Sequence, residues 1–245
     1  MKRILFIAAA ALALTSCNFI RINKTALENL MESGAINIDA DIDLASERID
    51  ASDSLVTSTY DVDPFKNIKV KFSAGIIYTQ GEQALTISVP ENLAEYLKVS
   101  VEDGTLNMRY SGVRIRNSKR AFITVSSPEI NDITLAGAGE IRMQGPVVTD
   151  KLSIEVDGAG DVNIEDIDSD SDIDLEINGS GNIKIEKLGC RTLESEINGA
   201  GNAEFAGYAG RADLTINGAG NIFASGLEAD DFHGKVNGAG KVFRK

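Results

Sequence analysis

Ile-Asn-Gly-Ala-Gly-Asn at residues 197–202 is the stretch that decides the fold, because the chain repeats it. Close variants occur at 135–140, 156–161, 177–182, 216–221 and 236–241. Their first glycines are 21, 21, 20, 19 and 20 residues apart, at Gly137, Gly158, Gly179, Gly199, Gly218 and Gly238. A constant period of about 20 residues is typical of proteins that stack one structural unit along an axis.

Apolar and polar residues alternate on both sides of each copy. The run 193–197 leads into the copy at 197–202, and the run 203–205 follows that copy. Such alternation indicates β-strands with one buried face, and no copy contains a segment with helical periodicity. Two or three short strands in about 20 residues predict one coil of a parallel β-helix. Leucine-rich repeats of similar length need a Leu-x-x-Leu-x-Leu framework, which is absent.

The glycines and asparagines of the motif have a structural role in this prediction. Glycine adopts positive φ angles without steric cost, and asparagine tolerates them better than most residues. Stacking sets equivalent positions about 4.8 Å apart, so the amides are expected to form hydrogen-bonded ladders. The predicted turn and ladder residues are Gly137, Gly139, Gly158, Gly160, Asn178, Gly179, Gly181, Asn182, Asn198, Gly199, Gly201, Asn202, Asn217, Gly218, Gly220, Asn221, Asn237, Gly238 and Gly240. The alternative is a calcium-binding coil, but such repeats recur about every nine residues with aspartate at fixed places.

Further motifs precede the repeats. They are Phe-Lys-Asn-Ile-Lys-Val at 65–70, Gly-Ile-Ile-Tyr-Thr-Gln-Gly at 75–81, Pro-Glu-Asn-Leu at 90–93, Asp-Gly-Thr-Leu at 103–106 and Ile-Thr-Val-Ser-Ser-Pro at 123–128. With the repeats, over about 62–243, they resemble the GIN-domain family, the head domain of an autotransporter adhesin. The resemblance implies an all-β protein whose right-handed, single-stranded parallel β-helix belongs to a Gram-negative envelope lipoprotein. It brings no catalytic residues to this chain.

The first residues resemble a bacterial lipoprotein signal peptide. Lys2 and Arg3 precede a short apolar run, and Leu-Thr-Ser-Cys at 14–17 resembles a lipobox in which Cys17 is lipidated. Asn18 after the cysteine resembles the signal for release to the outer membrane, which leaves its periplasmic and cell-surface faces both open. Cleavage removes two positive charges, so the net charge changes from −13 to −15 before the new terminus is counted.

Four segments are expected along the chain. Residues 1–16 form the signal peptide, 17–54 an acidic tether, 55–127 irregular first coils or a cap, and 128–245 the regular repeats. Within the third segment, Asn92 is expected to cap a short helical turn over 93–96. Strands are expected there at 55–62, 66–72, 76–79, 84–89, 96–101, 105–110, 113–116 and 121–126.

Charge and cysteine content limit the possible partners. The strong negative charge argues against nucleic acid and against direct adsorption to an anionic membrane, because both would repel the chain. The two cysteines, Cys17 and Cys190, provide no disulfide framework if the first is lipidated, and no four-ligand zinc set. Cys190 is expected to be an inert, buried or half-buried thiol at a coil corner. No cofactor is expected.

Two charged clusters are candidate sites. Asp168, Asp170 and Asp172 lie in an acidic run that is either a solvated loop or a calcium site, although the EF-hand spacing is absent. Arg114, Arg116 and Arg120 lie in the main basic patch, which is either a solvated hairpin or a contact for lipid phosphates or an acidic glycan.

Three functions remain open from the sequence. No catalytic residues are expected, because Gly-x-Ser-x-Gly, P-loop and dinucleotide-binding motifs are absent and His233 is the sole histidine. The favoured function is a non-enzymatic envelope lipoprotein whose β-helix binds or adheres to a glycan or protein. The alternatives are a β-helix polysaccharide lyase or hydrolase, and a structural spacer without its own ligand.

Overall fold

The computed structural model describes residues 47–244, except for the side chains of Glu47, Asp170 and Ser171. The predicted signal peptide, Cys17 and most of the predicted tether lie outside these residues. The strands are β1 Glu47–Asp50, β2 Leu55–Tyr60, β3 Asn67–Val70, β4 Ala74–Gln80, β5 Ala84–Pro90, β6 Leu97–Glu102, β7 Thr105–Tyr110, β8 Val113–Arg116, β9 Ala121–Ser127, β10 Asp132–Thr149, β11 Leu152–Ser180, β12 Ile183–Ala200, β13 Ala203–Ala219, β14 Ile222–Ala239 and β15 Val242–Phe243. A 3₁₀ helix, Glu91–Tyr96, separates β5 from β6. Among the described residues, no helix is long and apolar enough to span a membrane.

The repeats form the predicted all-β solenoid. From β10 to β15, each strand pairs in parallel with the next, and Asn178, Asn198, Asn217 and Asn237 occupy equivalent positions. The solenoid has about five turns spaced about 21 residues apart, which confirms the parallel β-helix. The expectation of two or three short strands per coil is wrong, because β10 to β14 run for 17 to 29 residues. Parallel pairing continues through most corners, so the backbone bends without leaving the ladder.

The core is a set of aliphatic rows that point into the solenoid. One row contains Leu135, Val156, Ile177, Ile197 and Ile216, all of which are at most 1% exposed. Burial of such a side chain stabilises the fold by about 1.5–3 kcal/mol. The inward-pointing half of the alternating pattern therefore holds successive coils together.

The corners explain why the motif contains two glycines. Gly199 has a φ of +150°, and a β-carbon there would lie 1.7 Å from the carbonyl oxygen of Gly179. Gly201 has no such φ, but its β-carbon would lie 1.6 Å from the carbonyl oxygen of Gly181. The second glycine is therefore required by the close approach of the next coil rather than by its own backbone conformation.

Strands β2 to β9 form a mixed arrangement before the repeats. The strand order β2-β5-β9-β4-β10 joins them to the solenoid, with antiparallel pairs up to β9 and parallel pairs beyond it. Strand β3 pairs with both β10 and β7, and β6 pairs with β7. All eight predicted strands occur within a few residues of their expected bounds. The prediction that Asn92 caps the helical turn is wrong. Its side chain instead accepts from the Ser52 N–H at 2.9 Å and donates to the Asp50 carbonyl at 2.8 Å.

Candidate functional site

Ten strands of the 13-stranded sheet follow one another in the order β2-β5-β9-β4-β10-β11-β12-β13-β14-β15, and we call their outer side the ladder face. Ten strands spaced about 4.8 Å apart make this face about 43 Å long. Two rows of outward side chains follow its long axis. One contains Glu140, Asp161, Asn182, Asn202, Asn221 and Lys241, and the other contains Ile77, Arg142, Asn163, Lys184, Glu204, Phe223 and Phe243.

The first row is a polarised amide ladder. The backbone N–H and the Nδ2 of Asn202 both donate to Oδ1 of Asn182, at 3.0 and 3.2 Å. Asn221 donates to Asn202 in the same way, at 3.0 and 3.3 Å. At the other end, Asn182 makes both bonds to one carboxylate oxygen of Asp161, at 2.8 Å each. Each Nδ2 therefore keeps a second hydrogen for which the described residues provide no acceptor.

A second amide ladder lies at the adjacent corner. Asn198 donates to Asn178 at 3.0 Å, Asn217 donates to Asn198 at 2.8 Å, and Asn237 donates to Asn217 at 2.7 Å. Asn178 itself donates to a carboxylate oxygen of Asp157 at 3.2 Å. In both ladders an aspartate in an early repeat supplies only acceptors, so it orients every later amide in one direction.

Apolar side chains lie exposed on the ladder face. Phe223 and Phe243 stack with their ring centres 5.1 Å apart and are 38% and 43% exposed. Phe223 and the amide ladder line an open groove of about 590 Å³. Toward the other end of the face, Phe122 and Ile77 are 51% and 38% exposed. Sequence reasoning did not bring these four side chains together, because the strands that carry them are distant along the chain.

Acidic and basic side chains meet in a smaller groove of about 220 Å³ beside the second row. Arg142 pairs with Glu140 at 2.6 Å, and Lys184 pairs with Glu186 at 2.8 Å. The hydrogen bond and charge of Glu186 raise the pKa of Lys184, and those of Lys184 lower the pKa of Glu186. Both shifts favour the charged forms. A protonated Lys184 does not act as a general base near neutral pH, and an ionised Glu186 does not act as a general acid.

The three arginines of the predicted anion contact have different surroundings. Arg116 binds Asp50 through two hydrogen bonds, at 3.0 and 2.8 Å, and β8 pairs with β1. Arg120 lies beside Gly75 at the edge of the ladder face, and Arg114 also lies on β8. Arg116 therefore pairs with a carboxylate of the neighbouring strand β1, which leaves less of its charge for an external anion.

The predicted calcium residues lie around an irregularity in the register of β11. Pairing with β12 shifts between Ser169 and Asp172, so the alternation of Asp168 with Asp172 is interrupted. Arg191 binds both carboxylate oxygens of Asp172, at 3.1 and 3.2 Å. The side chain of Asp170 lies outside the described part of the chain. Among the residues that the structure describes, no group of three His, Cys, Asp or Glu side chains has the geometry to hold a metal ion.

Cys190 was predicted to be an inert thiol, and no catalytic role was predicted for His233. Cys190 is a buried free thiol, and burial raises its pKa to about 12, so the reactive thiolate is scarce at neutral pH. His233 is exposed, with Nδ1 3.4 Å from carboxylate oxygens of both Asp213 and Asp231. No partner for this histidine was predicted from the sequence. In the structure, Asp213 lies opposite it on the neighbouring strand β13, and Asp231 precedes it by two residues on β14.

Comparison with protein families accounts for most of the chain. Residues 64–243 match the family described as "Putative auto-transporter adhesin, head GIN domain". The chain belongs to the GIN-domain family. Residues 1–18 also match the prokaryotic membrane lipoprotein lipid attachment site, and Cys17 is the cysteine within that segment. This GIN-domain chain therefore carries a signal for attachment to a membrane through lipid. Comparison with curated proteins found no match.

Several solved structures share this architecture. A putative adhesin from Bacteroides fragilis NCTC 9343 is 29% identical, with a TM-score of 0.58, over 79% of this chain and 81% of that chain. A putative adhesin from Parabacteroides merdae ATCC 43184 is 24% identical, with a TM-score of 0.70, over 80% and 83%. A putative lipid binding protein from Parabacteroides distasonis ATCC 8503 is 19% identical, with a TM-score of 0.68, over 80% and 96%. The last two support the fold of this GIN domain alone.

Proposed function

We propose that this protein is a non-enzymatic lipoprotein of the outer membrane that binds a glycan or protein through the ladder face. The lipid on Cys17 would hold it at the membrane, while the β-helix presents a stiff, regular surface. The adhesin name of the family and of the Bacteroides fragilis relative supports a binding role. The ligand would be an extended molecule, because the ladder face repeats the same groups along its length.

The observation that carries this proposal is the combination of exposed aromatic rings with unused amide donors on one face. Phe223 lines the same groove as Asn182, Asn202 and Asn221. An apolar ring provides contact area, and amide N–H groups provide direction, which is the usual division of roles in a ligand site. Glycans and extended peptides both present hydrogen-bond acceptors at intervals that such a surface can contact.

A ligand screen with matched variants tests the proposal. The mature chain, residues 17–245 with Cys17→Ser, is applied to arrays of glycans and matrix proteins. The double variant Phe223→Ser, Phe243→Ser should lose at least about tenfold in affinity for any ligand found, because both stacked rings are removed. Tyr208→Ser is the control, since Tyr208 is 45% exposed but lies on another side of the coil.

The outcomes separate the open functions. Binding that falls in the double variant and persists in Tyr208→Ser supports the ladder face. Equal binding by all three proteins would move the site elsewhere, and no binding by any protein would favour a structural spacer. Mass spectrometry of the protein from its native membrane tests lipidation of Cys17. Protease added to intact cells then distinguishes the cell-surface face, where the protein is cut, from the periplasmic face.

The polysaccharide lyase or hydrolase is the second candidate, and the charged groove beside Lys184 is the observation that favours it. A lyase needs a base that removes a proton next to a uronate, and a raised lysine pKa opposes that role. We therefore expect no unsaturated or shortened products when the protein is incubated with uronic-acid polymers. Appearance of such products, with their loss in Lys184→Gln, would replace the binding proposal with an enzymatic one.

A further inference from the structure

A cluster of cations covers the outer side of the small sheet β3-β7-β6, before the repeats begin. It contains Lys69, Lys71, Lys98 and Arg109, and we call it the cap cluster. Lys98 lies directly opposite Arg109 in the antiparallel pair β6–β7. Lys71 follows β3, and its N–H donates to the Met108 carbonyl at 3.0 Å, so it lies beside Arg109 on the other side. Three cations from three neighbouring chain segments therefore form a row, and all four members are exposed.

The cap cluster differs in its partners from three other cations of this region. Lys66 pairs with Glu129 at 2.6 Å, Arg116 with Asp50 at 2.8 Å and Lys119 with Asp53 at 2.8 Å. None of the four cap-cluster side chains forms an ion pair within the described residues 47–244. Like charges placed directly opposite on a sheet destabilise it, so this arrangement costs free energy in the isolated protein. An anionic ligand would remove that cost.

The cap cluster also borders a depression with room for a phosphate group. Lys69, Lys71 and Arg109 line a space of about 180 Å³, together with Ser100, Glu102 and Asn107. Glu102 is the one carboxylate among these residues, and the Ser100 hydroxyl donates to it at 3.0 Å. Three cations therefore outnumber one anion around the depression. Lysine and arginine are the usual protein contacts for phosphate oxygens.

Charge is divided unevenly between the two parts of the fold. Residues 64–127 contain nine Lys and Arg against five Asp and Glu, whereas residues 128–245 contain ten against 22. The net charge of −13 opposes adsorption of the whole chain to an anionic membrane only if the charge is evenly spread. Solution ions screen charges over about 8–10 Å, so a cationic end can approach an anionic surface while the acidic coils remain farther away.

The chain that leads to the lipid anchor enters the fold close to this end. The described chain begins at β1, which pairs with β8, and only two residues separate β8 from β7, the strand of Arg109. Twenty-nine residues, 18–46, lie between Cys17 and β1. They span at most about 100 Å when extended, so the cap cluster stays within reach of the anchoring membrane. Tethering raises the local concentration, and weak headgroup contacts then suffice for occupancy.

We propose that the cap cluster binds the anionic headgroups of the membrane that holds the lipid anchor. This contact sets the N-terminal end of the β-helix against the membrane. It directs the acidic repeats away from the membrane, together with the part of the ladder face that carries the amide ladder and Phe223. The biological role rests on the proposed lipidation of Cys17, whereas headgroup binding itself does not require the lipid. Phosphate is the group recognised, and the lipid surface is its source.

Vesicle binding by the unlipidated mature chain, residues 17–245 with Cys17→Ser, tests the proposal. One set of vesicles contains phosphatidylcholine alone, and the other contains equal parts of phosphatidylcholine and phosphatidylglycerol. We expect the chain to bind the anionic vesicles at least about tenfold more tightly, and to lose this preference at high salt. Neutralising the cluster with Lys71→Gln, Lys98→Gln and Arg109→Gln should lower binding to the anionic vesicles by at least about tenfold.

A matched triple variant controls for the loss of three charges. Lys151→Gln, Lys235→Gln and Lys241→Gln remove exposed lysines from the repeats and should change vesicle binding less than about twofold. Equal losses in the two triple variants would overturn the proposal, as would equal binding to neutral and anionic vesicles. Inorganic phosphate is tested at a concentration equal to that of the lipid phosphate in the vesicles. If it saturates the cap cluster there, the site would be assigned to a small anion instead. Absence of lipid on Cys17 would refute the anchor but leave this vesicle result unchanged.

Discussion

Alanine at Gly201 tests how closely successive coils approach each other at the corners. A β-carbon at this position would lie 1.6 Å from the carbonyl oxygen of Gly181 and 2.8 Å from its carbonyl carbon. The contact is with backbone, so no side chain can move aside, and the two coils must separate by roughly 1.5 Å. That movement stretches two backbone hydrogen bonds of 2.9 Å. The Gly181 N–H donates one to the Ala200 carbonyl, and the Ile183 N–H donates the other to the Asn202 carbonyl.

The expected cost follows from these contacts. Forcing an extra methyl group into a packed site costs about 1–3 kcal/mol, and weakening two backbone hydrogen bonds costs about 1 kcal/mol each. Alanine also restricts the unfolded chain, which offsets about 0.4–1 kcal/mol. The net loss in the free energy of unfolding is about 3 kcal/mol. For a chain of this length, that loss lowers the Tm by about 6–12 °C.

Circular dichroism melts of the unlipidated mature chain, residues 17–245 with Cys17→Ser, measure this effect. Gly81→Ala is the control, because a β-carbon at Gly81 meets no atom within 4 Å. It should change the Tm by less than about 2 °C, since surface substitutions away from special features have small effects. If Gly201→Ala melts like Gly81→Ala, the coils do not approach as closely as described and the steric argument for the second glycine is wrong.

Three further substitutions and one control test the ladders, the core and the charged surface. In Asn198→Asp, the carboxylate cannot donate to Asn178 Oδ1, so the free energy of unfolding should fall by about 1–3 kcal/mol. Glu194→Gln is the control at an exposed position and should change that free energy by less than about 0.5 kcal/mol. Ser195 is 3% exposed and its hydroxyl has no hydrogen-bond partner within the described structure, so Ser195→Ala should raise the Tm by about 2–4 °C in the same melts; an unchanged or lower Tm would indicate a partner that the described structure does not contain. Desolvation is the main cause that raises the pKa of Glu155, and repulsion from Asp157 and Glu176 adds to it. The ionised carboxylate therefore destabilises the folded chain, and this effect disappears as pH falls through the folded pKa. Glu155→Gln should therefore raise the Tm at about pH 7 but not at about pH 4, and an equal rise at both pH values would exclude the charge as its cause.

Features repeated in the sequence were predictable because nearly equal coil lengths fix which residues stack. The six copies of the Gly-x-Gly motif predicted the parallel β-helix, and the register pairs Gly179 with Gly199 and Gly199 with Gly218. Alternation identified the buried rows in the same way. The long strands were not predicted, because a corner glycine looks like a strand end in sequence although its neighbours remain paired.

By itself, the sequence determined the repeat, its period, the family resemblance and the lipid attachment signal, since each of these is written in consecutive residues. The tertiary structure alone decided which non-repeating residues meet. Arg116 was a candidate anion contact, yet it binds Asp50, 66 residues earlier. Three separate segments bring together the cap cluster of Lys69, Lys71, Lys98 and Arg109. Phe122 joins Phe223 on the ladder face because β9 pairs with β4 and β4 with β10. Strands that do not repeat have no fixed spacing to indicate their partners, so packing of the whole chain selects those pairs.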